Sequence, residues 1–254
     1  MYMVELKIGA QLIIWGKVTS SNIANVLNEI TSLGYEGIEA GPDQFEGTLN
    51  PKKMLKSRGL SLAGLHLSLN QIDMKKVDHA LTLLDKLESH YLLFSGAMGK
   101  ENSDENYLRN SKLLEEIGEK AKAQGVKICY HNHWQEIINN GRGIKIICEN
   151  TSPKYVSLCV DTYWVKCGGL DPLEFINANS ERISYLHLKD GTEEQIKNHK
   201  FTELGQGIID FSAIMNTIKP LEIEWAVIEQ DTTTRTPRES MAISRNFLRK
   251  KLGL

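Results

Sequence analysis

The stretch Val156-Ser-Leu-Cys-Val-Asp161-Thr-Tyr-Trp164 decides the fold. Its apolar half, residues 156–160, has the length and branched side chains of a buried strand, and an acidic residue follows it directly. The pattern recurs: Ile183-Ser-Tyr-Leu186 leads into His187, and Trp225-Ala-Val-Ile228 leads into Glu229. Val126-Lys-Ile-Cys-Tyr130 leads into His131, with Glu136 further on. Acidic and imidazole groups at successive strand ends converge only if the strands lie side by side in a parallel sheet. A closed (β/α)8 barrel provides that arrangement, with its active site at the C-terminal strand ends. A Glu/Asp/His/Glu set suits a divalent ion such as Mn, Mg, Co or Zn. The expectation is a metalloenzyme.

On both sides of this stretch, strand and helix signals alternate, eight times in all. Strands are expected at residues 6–14, 35–39, 60–67, 91–94, 126–130, 156–160, 183–188 and 225–228. Between them, a helix over 21–33 is capped by Ser20 or Ser21 and closed by Gly34. Pro51 opens a helix that ends before Gly59, and residues 73–87 carry a helical apolar stripe. Ser103 or Asp104 caps a helix running to Ala123, and residues 143–149 form a short one. Asp171-Pro172 opens the next, residues 210–218 form another, and Thr236-Pro237 starts a last helix to Leu252. Eight such units favour an α/β chain closed into a single (β/α)8 barrel over an open sheet. The polar connection between Asp190 and Asp210 is long enough to read as a functional loop.

The length of 254 residues suits one barrel domain spanning 1–254. Lys and Arg number 30 against 32 Asp and Glu, a formal charge of -2, which lacks the basic excess of a nucleic-acid binder. No apolar run nears the roughly 18 residues of a membrane span. The start, Met1-Tyr2-Met3-Val4-Glu5, has no basic segment followed by an apolar one. A cytoplasmic enzyme without membrane or nucleic-acid partners is expected. Cys129, Cys148, Cys159 and Cys167 form no C-x-x-C pair, and the two inside strand runs read as reduced, buried thiols.

A charged side chain after a buried strand is costly unless it is paired or metal-bound. A lone instance reads equally well as a structural ion pair; Asp161, His187 and Glu229 on successive strands read as one shared site. The fourth ligand is open. His131 lies five residues after Val126, as Asp161 lies five after Val156. Glu136 is further out and would fold back from a loop. His131 and His133 share one side of the strand, and at least one is expected to support the site by hydrogen bonding rather than ligate.

The ordered set of motifs resembles the xylose-isomerase-like TIM-barrel superfamily of sugar phosphate isomerases and epimerases, including its inosose dehydratase-like members. The resemblance covers nearly the whole chain. It runs through Ile8-Gly-Ala-Gln-Leu12, Gly34-Tyr-Glu-Gly-Ile-Glu39, Tyr130-His-Asn-His133 with Glu136, and Asp161-Thr-Tyr-Trp164 with Gly168-Gly-Leu-Asp-Pro172. It closes with His187-Leu-Lys-Asp190, Glu203-Leu-Gly-Gln-Gly207 and Val227-Ile-Glu-Gln-Asp231. The resemblance implies one divalent metal ion held by residues of the last four strands, with Asp161, His187 and Glu229 in three roles. For the remaining role many relatives carry Glu on the strand, where this chain has His131; the Tyr-His-Asn-His subgroup also carries the downstream Glu, here Glu136.

The expected activity is that of a sugar or sugar-phosphate isomerase or epimerase, moving a proton through a metal-bound enediolate. Glu229 is the expected base; Glu136 or a His of the 131/133 pair, His133 among them, returns the proton. Lys189 and Asp231 are expected to contact substrate oxygens, Lys189 having a surface charge as its plainer reading. Trp15, His66 and Trp164 would wall the pocket or simply pack, and Glu39 would bind a substrate hydroxyl or buttress the barrel. Ketose 3-epimerases of the superfamily carry a His three residues after the metal Asp; Trp164 stands there, which favours the isomerase or dehydratase-like branches. The rivals are a metal-dependent dehydratase or lyase on a keto-inositol or 3-keto sugar, a metal-free sugar-binding barrel and, weakest, an endonuclease at abasic sites. Barrels of this class are often dimers or tetramers, so a homo-oligomer is expected.

Overall fold

In the computed structural model, residues 5–16 and 20–254 are described. Eight parallel strands close on themselves in the order β1 to β8. The chain runs β1 (Lys7–Gln11), α1 (Ser20–Leu33), β2 (Gly37–Ala40), α2 (Pro51–Lys56), β3 (Ser61–Ser68), α3 (Met74–Leu87), β4 (Tyr91–Ser95) and α4 (Asp104–Lys122). It continues with β5 (Lys127–His131), α5 (Trp134–Glu149), β6 (Val156–Asp161), α6 (Thr162–Cys167), α7 (Pro172–Ala178) and β7 (Ile183–Leu188). The last elements are α8 (Glu193–Lys197), α9 (Phe211–Ile218), β8 (Trp225–Ile228) and α10 (Pro237–Phe247). Of the N-terminal residues read for a leader, 1–4 lie outside the described residues, and so do the side chains of Ser20 and Ser21, the expected caps of α1.

The period-two alternation of the strands separates two cores. Outward residues such as Ile128, Leu158, Leu186 and Ala226 pack with the helices. Inward residues Ala63, Tyr91, Leu93, Cys129, Cys159, Tyr185, Trp225 and Val227 fill the barrel. Cys129 and Cys159 are fully buried free thiols there. Trp225 needs space: a Cβ on Gly37 would lie 2.6 Å from its indole tip and 2.8 Å from the Ser61 carbonyl oxygen, so only glycine fits. Two positions beyond Cys129, Cys159, Tyr185 and Val227 stand His131, Asp161, His187 and Glu229. The alternation that fills the barrel therefore also aims these four inward at its C-terminal end.

Two elements differ from expectation between β5 and the residues after β6. Helix starts at Trp134, directly after His133, and is broken by non-helical backbone from Ile138 to Gly141 before resuming; the sequence pattern marks only the later half. α6 begins at Thr162, with Asp161 as its N-cap. The first strand is shorter than expected, because a 3-10 turn covers Leu12–Trp15. The connection after β7 holds α8 and is tied down by Asp190. Its carboxylate accepts backbone N–H groups from Gly191 at 2.9 Å, Gly205 and Gly207 at 3.0 Å and Ile209 at 3.3 Å. Among the described residues, no helix is long and apolar enough to cross a membrane.

Candidate metal centre

His131, Asp161, His187 and Glu229 meet at the C-terminal strand ends, each offering an atom within 4.8 Å of the others. All four are buried. Three divide their polar atoms between scaffold and centre. Asp161 Oδ1 caps α6 by accepting the Trp164 N–H at 2.9 Å, and its Oδ2 has no hydrogen-bond partner. Glu229 Oε1 accepts from Lys189 Nζ at 3.0 Å, and its Oε2 has none. His187 Nε2 pairs with Glu39 Oε2 at 2.7 Å, and its Nδ1, beside Glu229 Oε2, has none. His131 Nε2, also without a hydrogen bond, lies 3.4 Å from Asp161 Oδ2 and 3.7 Å from Glu229 Oε2. Buried atoms left unpartnered around one point are costly, and a cation satisfies all four at once. Carboxylate oxygen and imidazole nitrogen are the donors such ions take.

Burial opposes the charge on His187, but Cys159, Glu39 and Glu229 outweigh it and raise its pKa well above the ordinary range, so a cation would displace its Nδ1 proton; the charge states of His131 and Glu229 suit binding directly. Burial drives the His131 ring well below its ordinary range, with the His187 ring adding to it, so it presents a neutral lone pair. Burial works against the Glu229 carboxylate, but Lys189 and His187 outweigh it and hold its pKa well below the ordinary range. Burial pushes Asp161 up to about 6, against the pull of Lys189. Lys189 loses solvation in the interior, yet Glu229, Asp161 and Asp231 more than compensate and keep it charged. Its Nζ donates to Asp231 Oδ1 at 2.8 Å and lies over the rings of Trp164 at 5.1 Å and Phe201 at 4.7 Å.

Glu136, the other candidate for the fourth ligand, is not brought to this cluster. It occupies the first turn of α5 rather than a loop. There its carboxylate accepts from Tyr130 OH at 2.5 Å and from the His133 N–H at 3.0 Å. Both oxygens are thus engaged on the helix side of β5, and burial pushes the group up to about 7. His133 stands beside His131, ring centroids 4.9 Å apart, and its Nδ1 has no partner. Trp164 packs against His133 at 5.6 Å. Asp231 is half-buried beside Lys189. Trp15 is half-buried and its indole N–H donates to Glu29 at 3.0 Å. Glu39 is wholly buried between His187 and His66.

Several supporting residues carried no distinctive sequence signal. Asn132 accepts the Asp161 N–H at 3.0 Å and ties β5 to β6 at the centre. Ser95 pairs with His66 Nε2 at 3.1 Å. Phe201 packs on Tyr163 and Trp164 from the loop that Asp190 secures. The position of Asn132 between two histidines was the one available hint.

Known proteins share this architecture. Inosose dehydratase of Lacticaseibacillus casei is 25% identical over 261 residues, covering 87% of this chain and 87% of that protein. A sugar phosphate isomerase/epimerase from Parabacteroides distasonis ATCC 8503 superposes with a TM-score of 0.80 at 21% identity, covering 97% of this chain and 95% of that one. The IOLI protein with a bound zinc atom superposes at 0.74 and 16% identity, covering 96% and 97%. At these identities the two structures speak to the fold alone. The profile of the xylose isomerase-like TIM barrel family matches residues 27–251, and the chain belongs to that family.

Proposed function

We propose that this chain is a divalent-metal-dependent enzyme that moves a proton next to the carbonyl of a sugar or keto-polyol. The observation that carries the reading is the convergence of His131, Asp161, His187 and Glu229, each with a buried atom that no hydrogen bond satisfies. A divalent ion held by these four supplies Lewis acidity toward a substrate carbonyl and its neighbouring hydroxyl.

The remaining chemistry falls to side chains. Glu229, kept ionised by Lys189, takes the carbon-bound proton. Lys189, fixed between carboxylates and aromatic rings, donates a hydrogen bond to a substrate oxygen. Asp231 holds Lys189 in place and meets the substrate at the half-buried edge. His133, with a free Nδ1 beside the centre, takes up a proton there and returns it to the substrate. Return to the neighbouring carbon isomerises and return to the opposite face epimerises. Proton delivery to a departing β-hydroxyl releases water and dehydrates. Full-length similarity to inosose dehydratases favours the dehydratase outcome on a keto-inositol as the second reading beside isomerisation.

The test is the divalent-metal content and affinity of the purified protein, wild type beside Glu229→Gln, and then reaction in heavy water. One tightly held ion per chain, weakened in the variant, supports the centre. Deuterium uptake with an isomeric product supports the isomerase, and uptake with a dehydrated product supports the dehydratase. A wild type that takes up neither Mn nor Zn sinks both and leaves a sugar-binding barrel.

A further inference from the structure

The centre draws its four groups from the β5–β8 half of the barrel, and the other half contributes a chain of hydrogen bonds that ends on one of them. Glu39, near the end of β2, is wholly buried. Its two oxygens are divided between two histidines: Oε2 faces His187 Nε2 at 2.7 Å and Oε1 faces His66 Nδ1 at 3.0 Å. His66 Nε2 in turn faces Ser95 Oγ at 3.1 Å. A carboxylate set between two imidazole nitrogens accepts from both, so the two nitrogens facing Glu39 carry hydrogen. Nε2 is therefore the nitrogen of His187 that keeps its hydrogen, and Nδ1, beside Glu229 Oε2, is the atom turned to the centre. By the same logic His66 Nε2 accepts from the Ser95 hydroxyl.

We propose that Glu39 and His66 are positioning residues, a Ser95–His66–Glu39 chain that fixes the ring of His187 with Nε2 protonated and Nδ1 aimed into the cation site. The inference rests on the divalent-metal reading above. A carboxylate behind a ligating imidazole sets the ring's orientation and raises its basicity. Here the support comes from across the barrel, so the ligand-free strands β2, β3 and β4 set the geometry of the ligand on β7. A purely structural role for Glu39 would show in folding stability and leave cation affinity unmoved.

The test measures Zn2+ affinity by calorimetry for wild type, Glu39→Gln and His66→Phe, each checked for native circular dichroism. It adds 15N NMR of the histidines in the zinc-loaded wild type. The expected result is a His187 ring protonated at Nε2 and zinc-bound at Nδ1, with Zn2+ binding weakened about 10- to 100-fold in Glu39→Gln and by a smaller factor in His66→Phe. Affinity in Glu39→Gln within about twofold of wild type overturns the inference. So does a wild-type His187 bound through Nε2, and that spectrum decides the matter even if Glu39→Gln does not fold. A wild type that binds no zinc removes the divalent reading and this inference with it; zinc binding indifferent to Glu39 removes this inference alone.

Discussion

At the scale of the residue, one carboxyl shows how its neighbours decide its role. Glu136 reads from the sequence as a loop acid free to reach a metal; in the structure both its oxygens are engaged at the start of α5. The helix start was hidden because His133 at the N-cap is not one of the short oxygen-bearing residues that mark such ends. His131, by contrast, was legible, since strand register alone aligns it with Asp161. The burial that pushes Glu136 up to about 7 from an ordinary 4.5 has a consequence for stability. The folded chain holds this proton more tightly than the unfolded one. The contribution is therefore fully present below about pH 4.5 and lost as pH rises through about 7. Glu136→Gln stays neutral throughout, so its stability relative to wild type should rise by up to about 3 kcal/mol between pH 4.5 and 8. Urea denaturation of both proteins at the two pH values measures this; parallel curves would remove the claim.

At the scale of the element, the strands were legible because burial on both faces writes them as short apolar runs, and β8 was read with its observed limits. The short helices α6 and α8 were not, since a single turn or so carries too little periodicity to stand out from a polar loop. Close packing inside the barrel makes β2 intolerant. Gly37→Ala places a methyl against the Trp225 indole and the Ser61 carbonyl, and it should cost about 1–3 kcal/mol in denaturant unfolding. An unchanged midpoint would mean that β2 shifts more freely than its contacts suggest. The loop after β7 depends on Asp190, whose carboxylate gathers four backbone N–H groups. Asp190→Ala leaves those donors unanswered. Limited proteolysis should then cut within residues 191–209 faster than in wild type, while the barrel keeps its circular dichroism. Equal cleavage rates would show that other contacts hold the loop.

At the scale of the whole molecule, the order of eight units and their closure could be read from the sequence, because each strand carried its own apolar run, four of them ended in acid or imidazole, and the count matched a barrel. How the two halves cooperate was not legible. It depends on contacts between β2 and β7, residues 148 apart in the chain for the Glu39–His187 pair. If the centre takes a cation in the folded state alone, ligand at 100 times its dissociation constant adds about 2.7 kcal/mol of stability. For a chain of this size that corresponds to a rise of about 5–10 °C in Tm. Thermal melts with Zn2+ against chelator should show the rise in wild type and lose most of it in Glu229→Gln; identical melts in wild type would deny a tight site.

The sealed sulfurs of the barrel interior also give the chain a built-in clock. Cys129 and Cys159 lie on neighbouring strands with no exposed surface, and burial pushes both thiols above their usual range. An alkylating reagent meets them only when the wall of strands parts, whereas half-buried Cys148 and Cys167 lie nearer the solvent. The slow phase of thiol modification therefore times the opening of the barrel itself, without any label added to the sequence.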